Sequence, residues 1–202
     1  MAALWCGLAQ AADGPVKIVV LGDSLSAGYG LLAEDAFPVK LQAALKAKGI
    51  AVDMINAGVS GDTASGGDQR LDWSVPEGTE AVILELGAND ALRGVDPDVT
   101  RKALDAALTK LKSRHIAVLL AGMKAPRNMG PEYVRAFDGI YPALASSHGV
   151  ALYPFFLEGV AADPKLNQRD GLHPTAAGID VIVRNILPKA EELIERAKAA
   201  RK

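Results

Sequence analysis

Short runs of apolar, mostly β-branched residues recur along the chain and alternate with segments in which apolar residues return every three or four positions. The first run ends abruptly at Gly22. Continuous apolar runs of this length are typical of strands that are buried on both faces of a sheet. They predict five strands, at residues 18–21, 50–55, 81–86, 115–121 and 150–153.

The segments between these runs have the spacing of amphipathic helices. The clearest covers residues 99–113, whose apolar face consists of Ala103, Leu104, Ala107, Leu108 and Leu111. Four further helices are predicted. One begins at Phe37-Pro38, the second includes Arg70 and Leu71, the third spans residues 132–147, and the last follows Pro174 at the end of the chain. Pro188 lies inside the closing helix and is expected to kink or break it.

Strands that alternate with helices predict a parallel sheet with right-handed crossovers and helices on both faces. Five strands of this length favour a three-layer, doubly wound α/β fold with the flavodoxin-like strand order 2-1-3-4-5. A chain of 202 residues is long enough for one well-packed domain and too short for two. Residues 12–202 are therefore expected to form a single domain.

Composition narrows the possible functions. Half of the residues are hydrophobic and only 5% are aromatic, which fits an aliphatic α/β core better than a β-sandwich. The net charge of -2, with acidic and basic residues interspersed, indicates no nucleic-acid partner. Cys6 is the one cysteine of the sequence, which excludes an internal disulfide, and the three histidines are too far apart for a helical metal motif.

The N-terminal residues 1–11 are apolar and end in Ala9-Gln10-Ala11, a small-x-small pattern that precedes a polar segment. This pattern resembles the end of a secretory signal peptide cleaved after Ala11, although the basic start is missing. The segment is too short to span a membrane. The protein is therefore expected to be periplasmic or secreted, and the alternative is an apolar N-terminus that frays.

Ser24 follows the first strand on a turn of small residues, Gly22-Asp23-Ser24-Leu25-Ser26. The carboxyl edge of a parallel sheet is where open α/β folds bind their ligands. A serine raised on a tight turn at a helix start can present its hydroxyl outward, and with a base nearby it becomes a nucleophile. The alternative for this turn alone is that Asp23 and Ser24 simply cap a helix.

Other polar and small residues gather at the same edge: Gly58 after strand two, Asn89 after strand three, and the Asp170 to His173 loop after strand five. Together they supply the parts of an acyl-transfer site. Ser24 is the candidate nucleophile, His173 its base, and Asp170 the carboxylate that orients the imidazole. The backbone N–H groups of Ser24 and Gly58 and the amide of Asn89 are candidate oxyanion donors.

These segments resemble the four sequence blocks of the SGNH or GDSL hydrolases, and within that family the chain is most similar to the exported bacterial thioesterase, arylesterase and lysophospholipase branch. The blocks are Gly22 to Ser26, the Gly58 loop, Gly87-Ala88-Asn89-Asp90 and Asp170-Gly171-Leu172-His173-Pro174. The resemblance implies the same roles for Ser24, Gly58, Asn89, Asp170 and His173, a five-stranded flavodoxin-like sheet, and no cofactor.

The expected activity is hydrolysis of short- to medium-chain acyl esters, and of thioesters, through an acyl-enzyme. The loop at residues 122–131 follows strand four at the same edge, and its apolar Met123, Pro126 and Met129 are candidate acyl-binding residues. The alternatives are a carbohydrate O-deacetylase or a lysophospholipase on the same triad, and more distantly a non-catalytic acyl or lipid carrier. The small-molecule acyl substrate is the expected binding partner.

Three further carboxyl side chains lie near this edge. Asp62 and Asp90 are expected to hold their loops by turn bonding. Glu85 interrupts the apolar strand at residues 81–86, so a buried Glu85 requires a hydrogen-bond partner. Its spacing in the sequence does not identify that partner.

Overall fold

The five strands are β1 (Val16–Gly22), β2 (Val52–Gly58), β3 (Ala81–Glu85), β4 (Ala117–Ala121) and β5 (Ala151–Tyr153). In the computed structural model, which describes residues 14–201, they pair in parallel in the order β2-β1-β3-β4-β5. This confirms the predicted sheet and its strand order. The segment at residues 1–11 that is predicted to be a signal peptide, with Cys6, lies outside the described residues.

Eight α-helices are described between and after the strands: α1 (Ser24–Ala27), α2 (Phe37–Ala47), α3 (Ala64–Ser74), α4 (Ala88–Leu92), α5 (Pro97–Ser113), α6 (Pro131–Asp138), α7 (Ile140–His148) and α8 (Ala176–Ala200). The predicted apolar face of α5 is buried. β3 is buried at every position, whereas β2 at the sheet edge is partly exposed. The core therefore lies on both sides of the central strands, which hold the carboxyl edge rigid. Within residues 14–201, no helix combines the length and the apolar character needed to cross a membrane.

The second strand and the helix expected at residues 132–147 differ from the sequence expectation. β2 continues to Gly58, because residues 56–58 keep the parallel register with the end of β1. The single helix expected at residues 132–147 is two helices that meet at Gly139. Pro142 explains the interruption, since a proline in a continuous helix would have no N–H to donate to the carbonyl of Asp138.

Of the kink or break expected at Pro188, the break is wrong, since α8 continues through this residue. Proline removes one backbone hydrogen bond, to the carbonyl of Arg184. Both residues lie on the exposed face of the helix, where water can solvate that carbonyl. The opposite face, with Ile186 and Ala190, is buried against the domain and holds the helix together.

Candidate active site

Ser24 lies where β1 gives way to the short helix α1. The carboxylate of Asp23 caps this helix by accepting a hydrogen bond from the Leu25 N–H at 2.9 Å. Gly22 must be a glycine, because a Cβ at this position would overlap the side chains of Ser26 and Glu85. The N–H of Ser24 is at the helix start and has no acceptor within the helix.

His173 and Asp170 approach Ser24 from the loop that precedes α8. Nε2 of His173 is 2.9 Å from Oγ of Ser24, and Nδ1 is 2.7 Å from Oδ2 of Asp170. The other Asp170 oxygen accepts the backbone N–H groups of His173 and Leu172 at 3.0 and 2.9 Å. These backbone hydrogen bonds, together with the one from the imidazole, lower the pKa of Asp170 to about 2. The carboxylate is thus ionised wherever the imidazole can act as a base.

Gln168 fixes the His173 loop against the Ser24 loop. Its backbone N–H donates to the carbonyl of His173 at 2.7 Å, and its side-chain amide donates to the carbonyls of Tyr29 and Pro174 at 2.8 and 2.9 Å. The Tyr29 ring contacts the imidazole of His173, with ring centroids 4.6 Å apart and the ring planes tilted by 38°. Sequence reasoning missed both residues, because neither belongs to a motif with a recognised chemical role.

Asn89 lies in the first turn of α4, which follows β3. Its Nδ2 donates to Oδ2 of Asp23 at 3.0 Å. Asp23 is completely buried, and this burial raises its pKa to about 6 despite the hydrogen bonds from Leu25 and Asn89. A carboxamide has two N–H bonds, so the contact with Asp23 orients the group and leaves its second N–H free to bind a ligand.

Gly58 is not arranged as predicted. Its N–H donates to Oδ1 of Asn56 at 3.0 Å and is therefore occupied. A Cβ at Gly58 would overlap the backbone of Ala27 and the carbonyl oxygen of Asp23. The glycine is required for close packing of β2 against α1, rather than for the approach of a substrate.

A cavity of about 740 Å³ opens beside Ser24 and His173. It is mostly apolar, and its volume is in the range of small-molecule sites. The lining includes Leu25, Leu92, Met123, Pro126, Phe155, Leu157 and Leu172. A hydroxyl, an imidazole and an amide thus converge at one end of an apolar pocket.

The GDSL-like lipase/acylhydrolase family model matches residues 20–181, which is most of the chain and includes every residue of this constellation. The chain belongs to this family. It is therefore a serine hydrolase that acts on acyl ester bonds, and the predicted family resemblance is confirmed.

Named relatives agree with the predicted branch of the acylhydrolases. The chain is 38% identical to the esterase TesA of Pseudomonas aeruginosa, over 88% of this chain and 89% of the relative. It is 40% identical to thioesterase 1/protease 1/lysophospholipase L1 of Escherichia coli K12, over 82% of this chain and 77% of the relative. The crystal structure of AlinE4, an SGNH-hydrolase family esterase, matches with a TM-score of 0.75 and 46% identity, covering 88% of this chain and 96% of AlinE4.

The 122–131 loop of the acylhydrolase contributes to the cavity only in part. Met123 and Pro126 belong to the lining, whereas Met129 does not. A 3-10 turn at Arg127–Met129 brings the methyl group of Met129 close to Gly94. The structure therefore does not place Met129 in the acyl pocket.

Arg70 is a site residue whose role the sequence did not indicate. Its buried guanidinium donates to the carbonyls of Gly22 and Ala57, at the ends of β1 and β2, with both distances 2.8 Å. Its Nε binds Oδ2 of Asp62 at 2.6 Å. Arg70 thus ties the Ser24 turn to the β2–α3 loop through Asp62.

Asp90 connects separate segments of the chain rather than its own turn, because its carboxylate accepts hydrogen bonds from the Ala64 N–H at 2.9 Å and the Thr100 hydroxyl at 3.0 Å. Within residues 14–201, no cluster of three or more histidine, cysteine or acidic side chains could hold a metal ion.

Proposed function

We propose that this acylhydrolase cleaves esters and thioesters through an acyl-enzyme on Ser24. The supporting observation is the continuous chain of contacts from Oγ of Ser24 through the imidazole of His173 to Asp170. In the first step, Oγ attacks the acyl carbonyl carbon while Nε2 of His173 takes its proton. The bond to the leaving oxygen or sulfur then breaks, and His173 returns the proton to that atom.

Water completes the cycle. It attacks the acyl-Ser24 carbonyl carbon as His173 accepts a proton from it, and collapse of the second tetrahedral intermediate releases the carboxylic acid and restores Ser24. Asp170 accepts the Nδ1–H bond throughout, which fixes the tautomer and stabilises the imidazolium that forms in each step. The low pKa of Asp170, about 2, suits this role because the carboxylate stays ionised.

Negative charge on the carbonyl oxygen would be met by the Ser24 N–H and the free N–H of Asn89. The Gly58 amide is bound to Asn56, so we assign the third donor to Gly61 in the same loop. Its N–H forms no hydrogen bond within the described residues, while its carbonyl accepts the Arg93 guanidinium at 2.9 Å, adjacent to the helix that carries Asn89. The backbone of Gly61 is left-handed (φ 83°), which explains why a glycine occupies this position.

The cavity favours medium-length acyl chains, since apolar side chains form most of its wall. Phe155 is the one phenyl ring in that lining, which gives little platform for a sugar and disfavours a carbohydrate deacetylase. Lysophospholipase activity is the second candidate. It is favoured by Lys124, which lines the same cavity and could meet an anionic head group while the acyl chain lies on the apolar wall.

A substrate panel tests this proposal. p-Nitrophenyl esters from acetate to palmitate would be measured beside an acyl-CoA, a lysophospholipid and an acetylated sugar. We expect the highest kcat/KM among the medium-chain esters, with measurable cleavage of the thioester. Turnover confined to the acetylated sugar would contradict the proposal, and turnover mainly of the lysophospholipid would establish the second candidate.

Acidification should lower kcat/KM, because a protonated imidazole cannot accept the Ser24 proton. Asp170 itself does not contribute to the limb above pH 4, given its pKa of about 2. Asp170→Asn should lower kcat by about two orders of magnitude or more, because the amide no longer fixes the tautomer of the imidazole or stabilises the imidazolium. A variant that keeps more than a tenth of the wild-type kcat would exclude this role for Asp170.

Leu92→Ala should shorten the preferred acyl chain. Leu92 lines the cavity and is 48% exposed. Its truncation therefore removes part of the cavity wall without leaving a void in the hydrophobic core. Each methylene of substrate that loses contact forfeits about 0.8 kcal/mol, or about fourfold in rate. We expect the octanoate-to-butyrate ratio of kcat/KM to fall about three- to tenfold. Met129→Ala, outside the lining, is the matched control, and an equal loss at every chain length would contradict the assignment.

We also propose that the enzyme is exported to the periplasm or secreted. The support is the apolar segment at residues 1–11, with the small-x-small pattern Ala9-Gln10-Ala11 directly before a polar stretch.

A further inference from the structure

Glu85 lies directly beneath the Ser24 turn and has no role in the mechanism above. It is the last residue of β3, it pairs in register with Gly22 of β1, and its side chain is completely buried. It is the one glutamate among the buried residues of the described chain. A carboxyl group in this position requires a physical explanation, because burial strongly disfavours its charged form.

The two oxygens of Glu85 have unequal surroundings. Oε2 is 2.6 Å from the hydroxyl of Ser26 and accepts a long hydrogen bond, of 3.4 Å, from the Asp23 N–H. Oε1 is buried and has no hydrogen-bond partner among the described residues. A carboxylate would leave much of its charge on this unpartnered oxygen. Burial and the nearby charge of Asp23 accordingly raise the pKa of Glu85 well above its usual range.

Asp23 is equally buried but much better solvated by the protein. Each of its oxygens accepts an N–H bond, one from Leu25 at 2.9 Å and one from the side chain of Asn89 at 3.0 Å. The pair therefore contains one carboxyl suited to a negative charge and one that is not. Two negative charges in this dry position would also repel each other.

No lysine or arginine of residues 14–201 forms an ion pair with either acid. The buried guanidinium of Arg70 reaches the carbonyl of Gly22, but its carboxylate partner is Asp62. The Tyr141 hydroxyl donates to the carbonyl of Leu86 instead. The other titratable groups whose charge acts on the pair are His173 and Asp62, which affect Asp23. No cation therefore neutralises a second negative charge on Asp23 and Glu85, so one of the two acids keeps its proton.

We propose that Glu85 is a positioning residue that carries the proton of this two-carboxyl pair at neutral pH, so that the single negative charge stays on Asp23 and holds the amide of Asn89. The inference rests on the proposed oxyanion role of Asn89. The neutral Glu85 fills the space under the turn and bonds to Ser26 without competing for that charge. Asp23 then orients Asn89 before the substrate arrives, which is the preorganisation that oxyanion stabilisation needs.

Carbon-13 NMR of protein labelled at its glutamate carboxyl groups tests the location of the proton without any substrate. The sequence has nine glutamates. We expect one carboxyl resonance, unlike the other eight, to keep the shift of a protonated acid at pH 7. That resonance should be missing from the spectrum of Glu85→Gln. Nine ionised carboxylates at pH 7 would overturn the proposal, and wild-type protein alone decides this if the variant does not fold.

Activity of two isosteric variants tests the consequence for Asn89. Glu85→Gln keeps the shape of the neutral acid, so kcat should stay within about threefold of wild type. Asp23→Asn removes the charge that holds Asn89 and should lower kcat about tenfold or more, with KM within about twofold. Equal losses in the two variants, or a loss confined to Glu85→Gln, would overturn the proposal. Failure of the esterase proposal is distinguished by the NMR result, which does not depend on turnover.

Discussion

Ser24→Ala is expected to lower kcat by three orders of magnitude or more. The hydroxyl is proposed to attack the acyl carbon, and no other serine approaches the imidazole of His173 in the described residues. Only substrate binding and oxyanion stabilisation would remain in the variant, as they do in triad enzymes that lose their serine. The fold should be unchanged, because the Ser24 side chain bonds only to His173 and the alanine fits the same helix start.

The measurement is kcat for p-nitrophenyl butyrate, with thermal unfolding of the same samples. Ser113→Ala is the matched control, since Ser113 ends α5 and its hydroxyl donates to a carbonyl within that helix. Purified Ser24→Ala that keeps more than a tenth of wild-type activity would exclude Ser24 as the nucleophile. Labelling of Ser24 by a serine-directed phosphonate should be lost in parallel.

Asn89→Ala should lower kcat about a hundredfold and leave KM nearly unchanged. Its free N–H is proposed to meet charge that develops on the carbonyl oxygen only in the transition state, so the loss belongs to the chemical step. Truncation also removes one of the two N–H donors to the buried Asp23, and we therefore expect a small loss of thermal stability.

The control for this variant is Asn185→Ala, whose amide is exposed on α8 and donates to the Glu158 carbonyl at 3.0 Å. Both variants would be assayed for kcat and KM over the same range of ester concentration. A raised KM with unchanged kcat would move Asn89 from the oxyanion site to the substrate pocket.

The sheet could be predicted from the sequence because its determinants are local. Four of the five strands contain a continuous apolar run, and the positions of Ser24 and Asn89 follow from where two of those runs end. The geometry of parallel strands then brings such positions to one edge without any knowledge of side-chain contacts.

Features that depend on side-chain partners could not be predicted in this way. The Gly58 amide is occupied because Asn56, two residues earlier, folds its side chain back, which the pattern of small residues does not reveal. The partners of Glu85 follow from the register between β1 and β3, and sequence spacing does not specify that register. Met129 lies outside the cavity because a 3-10 turn intervenes after Pro126.

Asp170 and His173 form their pair within four consecutive residues, with hydrogen bonds that are all internal to that segment. The carboxylate of Asp170 and the imidazole of His173 therefore form one locally folded segment. The geometry within this segment does not depend on the sheet. Only the distance between this segment and Ser24 depends on tertiary contacts. Gln168 holds that distance by its hydrogen bond to the Ser24 loop. In the proposed mechanism, detachment of this segment from Ser24 would end turnover while leaving the folded core intact, so a local opening far smaller than global unfolding would inactivate the enzyme.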